Sequence, residues 1–448
     1  MQKNDIFEAQ VIDLTYEGLG VVKVDGFPFF VENALPGEEL ELRVTKLGKS
    51  FGFARIEKFL AQSADRVASA NLDYLRTGIA DLAHLTYAEQ LKFKQKQLET
   101  VLYKSGINVQ YQEILAADKT TGYRNKAQVP VRTINGELET GFFRKHSHQL
   151  IPIEDFYIQN PEIDALVLAL RHFLRSANLT AYDERTNQGL VRNIVVRRAH
   201  TTGEIMLVLV LSKSVKLDFS ALISDFPNIK SIQYSIKKDA GNAIFGQKFE
   251  LVFGQKYITD ELLGKKFQIS AQSFYQVNSE QAERLYRLAY DFADLKPTDT
   301  IIDAYSGIGT VGLCVADRVA QVYGMEVIPE AVRNAEANAA LNGFANAHYE
   351  VGSAEKVMPK WLADGVKPDV IFVDPPRKGL DESFIKTAAQ MSARAIVYIS
   401  CNPATFARDV VRFDEAGYRL ETVRAVDMFP QTHHVECVGL LTRKLSDM

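Results

Sequence analysis

Ser400-Cys401-Asn402-Pro403 sets a thiol where an apolar run, Ala395 to Ile399, gives way to a helix opened by Pro403. A thiol just ahead of a helix N-terminus feels the positive end of the peptide dipoles, which favours the thiolate, the nucleophilic form. Taken alone, such a cysteine is equally well a small packing residue. A second apolar run, Val370 to Val373, ends in Asp374-Pro375-Pro376-Arg377, a carboxylate on a stiff turn. In open α/β sheets ligands bind outside the carboxyl ends of the strands, so Asp374 and Cys401 are expected to face one crevice. Near the end of the chain His433-His434-Val435-Glu436 adds a further acid, a candidate general base.

Between a strand and a helix, Asp303-Ala304-Tyr305-Ser306-Gly307-Ile308-Gly309-Thr310-Val311-Gly312 contains GxGxxG, and Glu326 ends the next strand, placed to accept hydrogen bonds from ribose hydroxyls. This pattern suits the pyrophosphate of NAD or the amino-acid end of S-adenosylmethionine. No partner for hydride transfer is evident, whereas Cys401 and Glu436 give a nucleophile and an acid. Methyl transfer accounts for more of the residues, and an NAD-dependent oxidoreductase for fewer.

The elements that must position these groups read as three regions. Residues 1–60 alternate as five short strands with turn glycines, the first from Glu8 to Thr15, the pattern of an OB-type barrel. Phe51 and Phe53, interleaved with Arg43, Lys46, Lys49 and Arg55, would suit single-stranded RNA, although this region holds 7 Lys/Arg against 10 Asp/Glu and the rings could simply fill the barrel. A central α+β region, residues 61–85 and 120–270, carries basic clusters at Arg124-Asn125-Lys126, Arg144-Lys145-His146, Arg192, Arg197-Arg198 and Lys237-Lys238. Singly each reads as a solvated loop, and together they give a surface for a polyanion. Residues 86–119 and 271–448 form the third region: a helix over Tyr87 to Lys104, then β-α-β alternation from about residue 297, which predicts a doubly wound, mostly parallel, Rossmann-like sheet. Within it Gly307 to Ala316 reads as glycine turn and helix, and Arg419 to Val426 with Val435 to Thr442 as a hairpin.

The chain has 448 residues, 46% hydrophobic and 24% charged, with net charge −4. That is ordinary for a soluble multidomain protein and excludes a wholly basic nucleic-acid binder. No apolar run spans a bilayer and the first residues are not a signal peptide, so a cytoplasmic protein without membrane contact is expected. Three cysteines, Cys314, Cys401 and Cys437, with no CxxC pair, give neither a disulfide framework nor a zinc site. Cys314 and Cys437 read as packing residues.

With Gln272-Ser273-Phe274-Tyr275-Gln276-Val277-Asn278, these motifs resemble, in order and over nearly the whole chain, the RNA uracil carbon-5 methyltransferases that carry an N-terminal TRAM barrel. The resemblance implies a methyltransferase using S-adenosylmethionine, with Cys401 as nucleophile and Glu436 as base. It also implies methyl-donor contacts from Gln276, Tyr305, Glu326 and Asp374, with Asp303, Gly307 and Gly309 shaping that site. Gln276 and Asp374 are further expected to touch the target base, and Arg124, Asn125 and Lys126 the RNA. Many relatives hold an iron–sulfur cluster on four cysteines. Here the matching stretch, Asn71 to Ala80, and Phe156 have none, so no cluster and no other metal is expected. The implied partner is RNA, 23S ribosomal RNA rather than transfer RNA, since relatives acting on the latter often lack the barrel. No protein partner is implied. A non-catalytic RNA-binding protein is the remaining alternative.

Overall fold

A computed structural model describes residues 1–67, 71–239 and 241–444. The first six strands form one sheet in the order Ile6–Gln10, Glu39–Leu47, Gly52–Ala61, Phe27–Val31, Gly20–Val24, Asp13–Leu14. The expected single strand from Glu8 to Thr15 is two pieces, one at each edge of this sheet. The chain bends between them, where Val11 N donates to Glu38 O and Ile12 N to Val21 O, and so curls the sheet around Val22, Phe29, Leu40 and Leu42.

The central sheet has seven strands, with Val191–Arg198 and Ile205–Leu211 in its middle. All seven side chains of Ile205–Leu211 are buried, the mark of a strand covered on both faces. Most of the basic clusters expected on the surface are engaged internally. Arg197 Nη2 donates to Ser273 O at 2.7 Å, Arg198 pairs with Glu162 at 2.5 Å, and Lys237 donates to Gly241 O at 2.6 Å. The Arg192 guanidinium lies 3.7 Å over the Tyr182 ring.

The largest sheet has eight strands, ordered Ala347–Val351, Gln321–Glu326, Thr300–Ala304, Val370–Val373, Ala395–Ser400, Glu436–Arg443, Tyr418–Val426, Gln110–Leu115. The first five are parallel, and Glu436–Arg443 runs antiparallel to both neighbours. Strand order reverses between Thr300–Ala304 and Val370–Val373, which opens a crevice at their carboxyl ends. The helix expected to run to Ala316 is only Thr310–Leu313, followed by a 3₁₀ turn at Ala316–Arg318. Among the described residues no helix is long and apolar enough to cross a membrane.

The helix Tyr87–Lys104 has the expected bounds. Its buried stripe is Gln90, Lys94, Leu98 and Leu102, at the four-residue spacing of one helix face. The Lys94 ammonium, fully buried, pairs with equally buried Asp427 at 2.5 Å and donates to Phe429 O at 3.0 Å. Tyr87 Oη also donates to Asp427, at 2.8 Å, and Gln90 and Gln431 exchange hydrogen bonds of 2.9 and 3.0 Å. The loop from Asp427 to Val435 is thereby clamped to this helix. Removing one partner of a buried pair leaves an uncompensated charge, so Lys94→Met should lower stability by about 3–5 kcal/mol. In urea unfolding, the double variant Lys94→Met/Asp427→Leu should recover a good part of that loss.

Candidate active site

Four residues meet at one rim because of strand register. Ala304 is level with Val373, and Val373 with Tyr398, so Tyr305 and Asp374 leave their strands at the same edge. The antiparallel ladder pairs Ser400 with Cys437, and its next step sets Cys401 opposite Glu436. A parallel last strand would have carried Glu436 to the far edge of the sheet. Its reversal brings the acid to the thiol.

The Cys401 motif and the Asp374 motif are joined directly. Asn402 caps the helix Pro403–Glu415, its Oδ1 accepting from Ala404 N at 3.0 Å, while its Nδ2 donates to Arg377 O at 3.2 Å. Thr405 Oγ1 reaches the same carbonyl at 3.3 Å. Buried Asp409 accepts from Leu380 N and from Tyr398 Oη, each at 2.8 Å, fixing the far end of the proline turn. Reading the sequence missed Asp409, an acid on the inner face of an amphipathic helix. Arg377 and His434 lie 3.3 Å apart, and Asp81 binds His433 through both its backbone N–H, at 2.9 Å, and its ring, at 2.6 Å.

The electrostatics depart from the helix-terminus expectation. Burial, then the charges of Glu436 and Asp374, push the Cys401 thiol up to about 11, against a smaller pull from Arg377. Burial and Asp374 push Glu436, only 5% exposed, up to about 8, again opposed by Arg377. Asp374 is pushed up to about 7 by burial. Burial first, and the neighbouring carboxyl groups second, outweigh the dipole of the helix behind the thiol.

On the other side of the crevice, Asp303 turns beneath the glycine loop, 1% exposed, and accepts from Gly312 N at 2.8 Å, so its carboxylate holds the turn instead of reaching into the crevice. Gly309 (φ +86°) admits no side chain, since a Cβ would lie 2.6 Å from Tyr349 Oη, and Gly307 (φ +55°) faces open space. Tyr305 has φ +65°, an uncommon conformation for a bulky residue. Glu326 accepts from Gly307 N at 3.3 Å and Ile328 N at 2.9 Å, and beside it Val327 and Ile328 are more than half exposed. The crevice thus offers bare backbone, a carboxylate and an apolar pair.

Gln276 is buried, and Phe274 before it is exposed to solvent. Asn125, expected to meet RNA, does not reach outward. Its Nδ2 donates to Gln276 O at 2.9 Å and Ser279 Oγ at 3.0 Å, tying the central sheet to the Gln276 segment. Arg124 and Lys126, on either side, do line an open cavity that Arg377 and His434 share.

A family model described as tRNA (Uracil-5-)-methyltransferase matches residues 86–444. The chain belongs to this family. Similar full-length relatives of the methyltransferase include the uncharacterized RNA methyltransferase YljE of Lactococcus lactis, 61% identical over 99% of this chain and 98% of the relative. An uncharacterized RNA methyltransferase of Streptococcus mutans is 55% identical over 99% of this chain and all of the relative. Among solved structures, Pyrococcus abyssi tRNA (uracil-54, C5)-methyltransferase in complex with S-adenosyl-L-homocysteine superposes with a TM-score of 0.80 at 28% identity, covering 97% of this chain and 99% of that one. That match spans the N-terminal sheet. The N-terminal sheet by itself therefore does not exclude transfer RNA as a substrate.

Proposed function

We propose that this RNA methyltransferase transfers a methyl group from S-adenosylmethionine to carbon 5 of a uracil in structured RNA, through a covalent adduct on Cys401. The observation that carries the reading is the ladder step that faces Cys401 with Glu436 beside Asp374. The glycine turn fits the amino-acid end of the donor, Glu326 the ribose hydroxyls, and Val327 with Ile328 the adenine, with Tyr305 and Gln276 along the same wall. When bound, the donor supplies an electrophilic methyl carbon on a sulfonium.

Carbon 5 of uracil is a poor nucleophile. The Cys401 thiol gives its proton to solvent water, the thiolate Sγ bonds to carbon 6, and the electron pair of the ring double bond moves to carbon 5 and the 4-oxygen as an enolate, which makes carbon 5 nucleophilic toward the methyl group the donor would supply. The Glu436 carboxylate then takes the proton from carbon 5, the ring double bond re-forms, and the carbon–sulfur bond breaks to return the thiolate. Asp374 and Gln276 orient the ring, and the uracil reaches them by unstacking, at a cost of a few kcal/mol that is least in loops.

An RNA path leads to this rim. A groove of about 1020 Å³ runs between the barrel and the central region, lined by Phe30, Phe53, Lys46, Arg76, Arg144 and Lys145, and ends at His433. Phe30, Phe51 and Phe53 stand 5.4 to 5.9 Å apart at its mouth, whereas Arg43 and Arg55 are both paired with Glu57. Rings with cations suit single strands, and of the groove's cations Arg76 pairs with Asp73 and Lys145 with Asp81, while Lys46 and Arg144 have no ion pair among the described residues.

The residues at the cluster positions do not fit an iron–sulfur cluster. Asn71 caps a short helix, Ala80 and Phe156 are fully buried, and all three cysteines lie at or beyond Cys314. We propose an enzyme without the cluster, which stoichiometric iron and sulfide in anaerobically purified protein would overturn.

23S ribosomal RNA is the proposed substrate, with transfer RNA the second reading on the strength of the Pyrococcus neighbour. Mass spectrometric mapping in a deletion strain should show one or more 5-methyluridines missing from ribosomal RNA and restored by the gene. Loss from transfer RNA alone would select the second reading, and loss from neither would reject both.

A base must be ionised to work, and proton removal follows methyl transfer, so kcat should rise with pH through about 8, roughly tenfold from pH 7 to pH 9. Arg377 pulls both Cys401 and Glu436 down, so Arg377→Gln should move this limb to higher pH. A profile flat from pH 6 to pH 9 in both proteins would sink the assignment.

A further inference from the structure

Beside the catalytic rim lies a cavity of about 420 Å³, within the size range of small-molecule sites, whose wall includes Arg377 and His434 of the site already described. Its other side presents Arg124 and Lys126. Both cations are pushed down by burial, Lys126 to about 7 with Arg197 and Arg124 adding to the effect, and no carboxylate is among the charges that either one feels. Half-buried, and without an ion pair among the described residues, the two suit an anion. A bare phosphate would leave the remainder of the wall idle, where Phe142 and Phe429 lie alongside Gln128 and Gln159. Gln159 is 5% exposed and its Oε1 has no hydrogen-bond partner among the described residues, an unmet acceptor of the kind a base edge satisfies.

We propose that this cavity holds a second unstacked nucleotide, adjacent in the RNA to the target uridine, with its phosphate on Arg124 and Lys126 and its base against Phe142 and Phe429, where Gln128 and Gln159 read its edge. The site rests on reading Cys401 and Glu436 as the uracil site, since it is their neighbour across Arg377. The enzyme accordingly recognises two splayed nucleotides rather than one, and its sequence preference extends to one flank of the uridine.

The test uses fluorescein-labelled RNA heptamers with 5-fluorouridine at the centre, whose adduct cannot resolve because carbon 5 carries no removable proton. An abasic nucleotide or a neutral methylphosphonate linkage is placed on one flank or the other, and binding is followed by anisotropy. The wild type should lose about tenfold in affinity for an abasic residue on one flank only. Arg124→Met and Lys126→Met should each flatten the salt dependence of log Kd by about 0.7 and become indifferent to the methylphosphonate on that flank. Phe142→Ala should become indifferent to the abasic residue, which keeps the test open if a cation variant fails to fold.

Equal binding of intact and abasic heptamers on both flanks, or no measurable binding of any heptamer, overturns the proposal. So does a uniform weakening of every RNA by Arg124→Met with the flank preference intact. The covalent band on a denaturing gel is a separate readout. The flank pattern without a band keeps the nucleotide site and rejects the uracil chemistry, and a band without the pattern does the reverse.

Discussion

Cys401→Ala should abolish methylation of RNA, by at least about a thousandfold, the scale on which losing a catalytic nucleophile is felt. Carbon 5 becomes reactive only after sulfur has added to carbon 6, and no other thiol can stand in. Cys437 is fully buried within the ladder and Cys314 is buried behind the glycine loop, where burial pushes both thiols up. The change removes one sulfur atom from a half-buried position at the end of a strand, so the melting temperature and its increase with S-adenosylmethionine should stay near the wild-type values. Tritium transfer from labelled donor, read beside thermal shift, checks both parts. Methylation by the variant within tenfold of wild type would remove Cys401 from the mechanism.

Glu436→Gln should let the methyl group transfer once and then stop, with enzyme and methylated RNA joined in a band that survives a denaturing gel. Turnover should fall by about a hundredfold to ten-thousandfold, the usual worth of a positioned proton acceptor. The sign of the stability effect is opposite to the usual catalytic lesion. A carboxyl whose folded pKa is raised gives its full stability below its unfolded value, and loses it as pH rises through about 8, where the buried group must charge. An amide never charges. The variant should therefore match wild type near pH 4 and be the more stable protein at pH 9, a divergence that urea unfolding at the two pH values would reveal. Wild-type turnover with no trapped species would show that the acid at 436 is not the base.

Much of this was legible because the chemistry sits where strands end, and strand ends are written in short apolar runs. Val370–Val373 and Thr300–Ala304 are entirely or almost entirely buried, and their bounds follow from the run alone. The pairing of Asp374 with Cys401 across one crevice follows from the same grammar. What escaped reading depends on residues far apart in the chain. Lys94 looks like one more lysine of a charged helix, and only Asp427, brought in by a distant loop, makes it an interior residue. Asn125 sits in a basic tripeptide yet spends its amide on Gln276 O. The Cys401 thiol takes its character from burial and then from Glu436 and Asp374, which the helix terminus behind it cannot announce. The barrel's first strand was read as one piece because nothing local marks the bend at Val11 that carries it from one edge to the other.

Running the final strand backwards has a mechanical consequence. Cys401 and Glu436 lie one step beyond the last rung of a hydrogen-bonded ladder, Ser400 with Cys437, so the distance between their backbones is set by strand pairing and not by any hinge. A substitution elsewhere that leaves this pairing intact is expected to leave that spacing unchanged.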